Sequence, residues 1–349
     1  MSRHDHACTH IDPSPARAVK ARRTLAGLLT LVAALSAVVG CSSDSGSDTI
    51  RFALDWTPNT NHTGLYVALD QGWYADEGLN VKIVEPTEGA TATLIAVGKG
   101  QIGISYQEDV TIARTLDEPL PIRAIATILQ HNTSGFATYQ GKGIKSPADF
   151  EGKTYAGWGG PGEEAVLKAV MKNAGADFSK LNMVISDGSG FAALKDQVDI
   201  MWFFEAWDSI KCQMNAFPID YMPLKDLDPR LDYYTPVIIT SEDMIQNHPD
   251  ELRAFLRATT KGYAYAAANP EEAAKILAKF APDNSLEMLT LSQKYLADKY
   301  IADAPRFGEM KDSVWDGYTQ FCQDYGVIPK AITADWLYTN DFLPEANGQ

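Results

Sequence analysis

Cysteine is scarce, with 4 in 349 residues. That is too few for the disulfide framework that staples small exported domains. Histidine is nearly as rare at 6, and beyond residue 40 only His62, His131 and His248 remain, with no pair at helical ligand spacing. No metal site is expected from such a set. Positive charge is also short: 30 Lys plus Arg stand against 45 Asp plus Glu, a formal net charge of −15. Nucleic acid and anionic lipid both need clustered Lys and Arg, so neither is expected as a charge-driven partner. No Gly-x-Ser-x-Gly nucleophile elbow is found. Asp187-Gly188-Ser189-Gly190 comes near it but reads as a turn. No catalytic residue and no cofactor are expected, and no internal repeat is visible.

Long apolar runs are missing except for Leu25 to Val39, which is preceded by Arg17, Lys20, Arg22 and Arg23. The run has the length of a signal-peptide core and is too short for a comfortable membrane span. It ends Val38-Val39-Gly40-Cys41, a pattern that resembles a bacterial lipobox, in which cleavage exposes the Cys41 thiol for lipid attachment. Residues 1–40 are therefore expected to be a lipoprotein signal peptide. Residues 41–48, rich in Ser, Gly and Asp, read as a polar tether. Removal of residues 1–40 leaves 25 Lys plus Arg against 43 Asp plus Glu. The expected address is the extracytoplasmic face of the cell membrane, lipid-anchored and monomeric.

Roughly three hundred remaining residues suffice for two cores. Strand and helix signals alternate through the first half, as in α/β layers. Strands are expected at 50–54, 81–85, 102–106, 122–129 and 154–157, then at 184–186 and 200–204. Helices are expected at 63–75, 90–97, 110–116, 163–174, 191–196 and 205–214. Ser146 is expected to cap a short helix with Pro147 at its first position. Gln130 to Phe136 and Tyr233 to Thr240 read as two crossings between lobes, and two crossings make a hinge. Lobe 1 is then 49–132 with 237–349, and lobe 2 is 133–236. Five helices, at 250–269, 270–280, 285–300, 310–325 and 334–343, are expected to cover lobe 1, with Asn269 as an N-cap. Cys212 and Cys322 fall in different lobes on this reading and are expected to be free, buried thiols.

The segment that carries most information is Trp56-Thr57-Pro58-Asn59-Thr60-Asn61-His62-Thr63-Gly64, between a strand and a helix, followed by Tyr66 and by Gln71-Gly72-Trp73-Tyr74. Asn and Pro favour a turn there, and the turn lies above a strand's C-terminal end, the crevice that α/β sheets use for ligands. This string resembles the substrate-binding proteins of ABC importers in the NMT1/Thi5-like family. The resemblance implies a two-lobe, type II periplasmic-binding-protein-like α/β fold with a helical C-terminal region, and a permease as partner. It also implies a thiamine-precursor pyrimidine as ligand, either the formylated aminopyrimidine or hydroxymethylpyrimidine. Riboflavin, nitrate or a sulfonate remain as alternative ligands of the same fold. A pyrimidine synthase remains as the alternative of another class, although the cysteine-rich iron-binding run expected of those enzymes is not seen around Cys212.

Eight residues are the candidate ligand contacts. Trp56 offers a flat face for a ring, and Tyr66 offers another or is core on its helix. Asn59 and His62 bring polar groups to the turn, with His62 serving either the cleft or the helix start. Glu108, after the strand ending at Tyr106, is either a contact or part of a helix start. Trp158-Gly159-Gly160-Pro161-Gly162-Glu163 opens a helix, so Gly160 would let backbone N–H groups approach a bound group, and Glu163 faces either ligand or helix dipole. Met201-Trp202-Phe203-Phe204-Glu205 places an acid directly after a buried strand. There Glu205 needs a partner to offset desolvation, either the ligand's amine or the following helix N-terminus, and the resemblance implies the former. Trp202 and Phe203 read as core.

Overall fold

The computed structural model describes residues 49–85, 91–188 and 190–346. The expected signal peptide and tether, Cys41, Ser189 and the first residue, Ala90, of the helix expected at 90–97 lie outside the described residues.

Among the described residues ten strands form two five-stranded sheets. The first sheet contains β1 (Ile50–Ala53), β2 (Val81–Val84), β3 (Ile102–Ser105), β4 (Ile122–Thr127) and, much later in the chain, β10 (Val237–Ser241). The second contains β5 (Ser134–Tyr139), β6 (Thr154–Gly157), β7 (Asn182–Ile185), β8 (Ile200–Phe204) and β9 (Ile219–Pro223). Their orders are β2-β1-β3-β10-β4 and β7-β6-β8-β5-β9. The β1 strand pairs in parallel with β2 and β3, while β10 runs antiparallel to β3 and β4. The second sheet repeats this plan, with β6 parallel to β7 and β8, and β5 antiparallel to β8 and β9. Parallel pairs need long crossovers, and those crossovers supply the helices that cover the sheets. The chain passes from one sheet to the other between Thr127 and Ser134 and back between Pro223 and Val237.

One core joins the first sheet to helices Thr63–Asp70, Pro249–Ala268, Pro270–Ala278 and Leu286–Leu296. In it Phe52 stacks on Phe255 with centroids 5.5 Å apart. Two of these helices meet backbone to backbone. A Cβ on Gly262 would overlap the Gly64 carbonyl, and one on Gly64 would overlap the Tyr263 ring, so only glycine permits this approach at either position. The second core gathers Phe136, Phe150, Tyr155 and Val166.

Several expectations are corrected by packing. The helix expected at 63–75 is broken at Gly72, whose φ of 74° is left-handed, and restarts at Trp73. Glu205 to Ser209 is a π-turn, and only Ile210–Met214 is α-helical. Strand β9 was not expected, since no element was assigned between 214 and 233. It is an edge strand, where a terminal proline costs no ladder bond. Residues 334–343 form only a short 3₁₀ turn, Ala334–Trp336, after which Tyr338 bridges in parallel to Ala124 on the first sheet's edge. Asn269 makes no side-chain cap and instead donates to the Tyr265 carbonyl. Helix Asp312–Asp324 does not simply cover the first sheet, since Tyr318, Phe321 and Cys322 pack into the second core with Phe136 and Tyr155. Cys322 and Cys212 therefore both pack with second-sheet residues. Both are free and buried, and burial pushes each thiol up to about 12. Among the described residues no helix is long and apolar enough to cross a membrane.

Candidate functional site

The turn after β1 is tied down by its own polar groups. Asn59 caps the 3₁₀ turn Thr60–His62: its Oδ1 accepts from the Asn61 N–H at 2.9 Å and its Nδ2 donates to the Thr57 carbonyl at 3.0 Å. Both ends of the Asn59 amide are thus engaged locally. His62 is fully buried. The Asn59 N–H approaches its Nδ1 at 3.3 Å, which leaves Nε2 to donate to Asp55 Oδ1 at 2.8 Å. Tyr106, just past β3, donates to the other Asp55 oxygen at 2.7 Å. Burial alone would push Asp55 up, but His62 and Tyr106 outweigh it and hold the carboxyl below its ordinary value. Asp55 was missed as a candidate. Its signal was an acid directly after a buried strand, the same signal that singled out Glu205.

The turn is also gripped from helix Pro249–Ala268 and from the end of helix Leu286–Leu296 and the turn that follows it. Tyr263 donates to the Asn61 carbonyl at 2.6 Å and Tyr300 to the Thr60 carbonyl at 2.9 Å. Thr60 Oγ1 lies 2.6 Å from Ser292 Oγ, and Ser292 in turn donates to the Ala206 carbonyl in the π-turn after β8. Trp56 stands clear of this network and is 65 % exposed.

The glycine-rich loop after β6 uses its amides internally. Glu163, 1 % exposed, turns back so that one oxygen accepts from the Gly159 N–H at 2.6 Å while the other accepts from Trp158 N–H and the Tyr155 hydroxyl. The Trp158 and Gly159 amides expected to meet a ligand are already taken, because a buried carboxylate must find donors and the nearest are one helical turn away. Gly160 precedes helix Pro161–Asn173 and lies under the Trp158 indole, where a Cβ would collide. Trp158 itself is 56 % exposed and meets Trp202 edge-on at 5.1 Å.

Glu108 starts helix Gln107–Thr115 and accepts from Tyr318 at 2.6 Å. Its carboxylate lies against Gly162 of the second sheet's helix, where a Cβ would overlap it. Burial pushes Glu108 up, with the Tyr318 bond opposing. Tyr66 is buried and stacked on Phe280 at 4.6 Å, and burial raises its hydroxyl to about 12. It borders a cavity of about 900 Å³ with Arg51, Glu85 and Lys99, away from the other candidates.

Glu205 is placed differently. It lines a cavity of about 310 Å³ between the two crossings, with Thr133, Lys225, Asp232, Tyr295 and Lys299. Tyr295 donates to Glu205 Oε2 at 2.6 Å. His131 closes one side, with Nδ1 2.7 Å from Asp232 and Nε2 3.2 Å from Asp303. None of the other seven candidates lines this cavity. Such a volume lies at the small end of ligand sites. Among the eight buried side-chain atoms without a hydrogen-bond partner in the described residues are Asn61 Oδ1 on the turn after β1, Ser209 Oγ on the π-turn and Trp202 Nε1 in the middle of β8. No group of three His, Cys, Asp or Glu among the described residues is arranged to hold a metal.

Two sheets of matched plan, joined by two crossings with polar turns at the strand ends, define the periplasmic-binding-protein fold. The solved structure of the periplasmic aliphatic sulphonate binding protein of Escherichia coli shares it, with a TM-score of 0.66 at 13 % identity over 82 % of this chain and 91 % of that one. The chain belongs to the NMT1/THI5-like family, whose model matches residues 59–273. It is 30 % identical to the formylaminopyrimidine-binding protein of Halalkalibacterium halodurans over 90 % of this chain and 98 % of that protein. It is also 23 % identical to a 4-amino-5-hydroxymethyl-2-methylpyrimidine phosphate synthase of Legionella pneumophila, over 85 % and 92 % of the two chains.

Proposed function

We propose that this chain is the extracytoplasmic binding subunit of an ABC importer, anchored through a lipid on Cys41, and that it captures an aminopyrimidine precursor of thiamine for delivery to a membrane permease. Two observations support the reading. The chain is similar along nearly its whole length to a formylaminopyrimidine-binding protein, and it sets an acid, Glu205, in a cavity of about 310 Å³ between the crossings. A carboxylate there accepts from a ring amine, and Trp56, exposed after β1, supplies a flat apolar face when the lobes close. No covalent step is needed for capture.

Calorimetric titration of the purified protein with formylaminopyrimidine, hydroxymethylpyrimidine, thiamine and riboflavin tests this. The expected outcome is selective binding of a pyrimidine, lost by about tenfold or more in Glu205→Ala and in Trp56→Ala. Full affinity in both variants removes the pocket assignment, and binding of riboflavin alone moves the ligand elsewhere. The anchor has its own check: mass analysis of the mature N-terminus, with Cys41→Ala expected to release the protein from membranes.

A further inference from the structure

We propose that Tyr295 is a positioning residue that holds the Glu205 carboxylate to accept from the ring amino group of an aminopyrimidine. This rests on the reading of the Glu205 cavity as the pyrimidine site.

Glu205 opens a π-turn rather than a regular α-helix, a local irregularity frequent at functional sites. The orientation is supplied from the first lobe's side. Helix Leu286–Leu296 grips the turn at two points three residues apart, on one helix face: Ser292 donates to the Ala206 carbonyl, and Tyr295 donates to Glu205 Oε2 at 2.6 Å. Ser292 is itself bonded to Thr60 of the signature turn, so the grip is continuous with the first sheet's strand end.

The chemistry of the grip matters as much as its geometry. Two lysines, Lys225 and Lys299, line the same cavity. Both are engaged elsewhere, Lys225 with Asp226 at 3.0 Å and Lys299 with Asp298 at 2.9 Å, and the Lys299 ammonium also sits 4.2 Å from the centre of the Tyr295 ring. A neutral phenol therefore orients Glu205 without cancelling its charge, which stays available to a ligand's N–H groups. Burial and the bond to Glu205 push the phenol well above its ordinary value, so it remains a donor at every physiological pH.

The test compares formylaminopyrimidine with its analogue lacking the ring amino group, titrated into wild type, Tyr295→Phe, Glu205→Gln and the double variant. Tyr295→Phe keeps the ring and the Lys299 contact and removes only the hydroxyl. The expected result is about a tenfold loss for the amino ligand with unchanged affinity for the analogue, and a double variant no weaker than Glu205→Gln alone. Equal losses for both ligands, or no loss for either, overturn the positioning role. A wild-type protein that binds neither compound overturns the pyrimidine reading itself and this inference with it, a result distinguishable from the first.

Discussion

Each sheet sends a strand into a helix through a polar turn, at Asp55 to His62 in the first and at Trp158 to Gly160 in the second, and the two turns satisfy a buried acid in different ways. Asp55 is held by His62 and by Tyr106 from a neighbouring strand end, and its turn is gripped by Tyr263 on helix Pro249–Ala268 and by Tyr300 just past helix Leu286–Leu296, both more than 200 residues away in sequence. Glu163 is held by amides of its own loop and by Tyr155 on the strand just before it. One turn is built by tertiary contacts, the other almost entirely by local ones. Damage to the first should spread through the first core, whereas damage to the second should stay close to the loop.

The largest expected effect is for His62→Ala. It removes a fully buried partner of Asp55 and should cost about 3 kcal/mol in urea unfolding. Retention of wild-type stability would show that Tyr106 alone satisfies Asp55. Glu163→Gln comes next at about 2 kcal/mol, because an amide presents an N–H group to donors that need an acceptor. Its hydrogen-exchange signature should be confined to the loop after β6, and exchange spread over both sheets would break the contrast drawn here. The smallest effect is a pH dependence of opposite sign at the two carboxylates. Asp55 is held low in the folded state, so its contribution is present above the unfolded value near 4 and is lost as pH falls below it. Glu108 is held high, so its ionised form costs stability at neutral pH and that cost fades as pH falls through the raised folded value. Glu108→Gln should therefore raise the melting temperature at pH 7 by about 1–3 °C, with the gain closing towards pH 4. A gain that grows in acid would reverse the assignment.

The strands and most helices were legible because alternating apolar runs and turn residues are local signals. Asn59 as a turn residue and Ser146 as a cap were legible for the same reason. Strand β9 was not, since an edge strand need not look apolar, and neither was the 3₁₀ end of the chain at Ala334–Trp336, whose apolar residues pack without helical period. Among the candidate residues, Glu205 was singled out as an acid after a buried strand, and the structure places it on the cavity between the crossings. Asp55 obeys the same rule and was passed over for the signature beside it.

By itself the sequence determined the alternation of strands and helices, the positions of the polar turns and the likeness carried by Trp56 to Gly64. Tertiary structure alone decided which polar groups remain for a ligand. A turn's amides and carboxylates look equally available in a sequence, yet burial obliges each to find a partner, and those partners come from across the fold: Tyr106 for Asp55, Tyr318 for Glu108 and Tyr295 for Glu205.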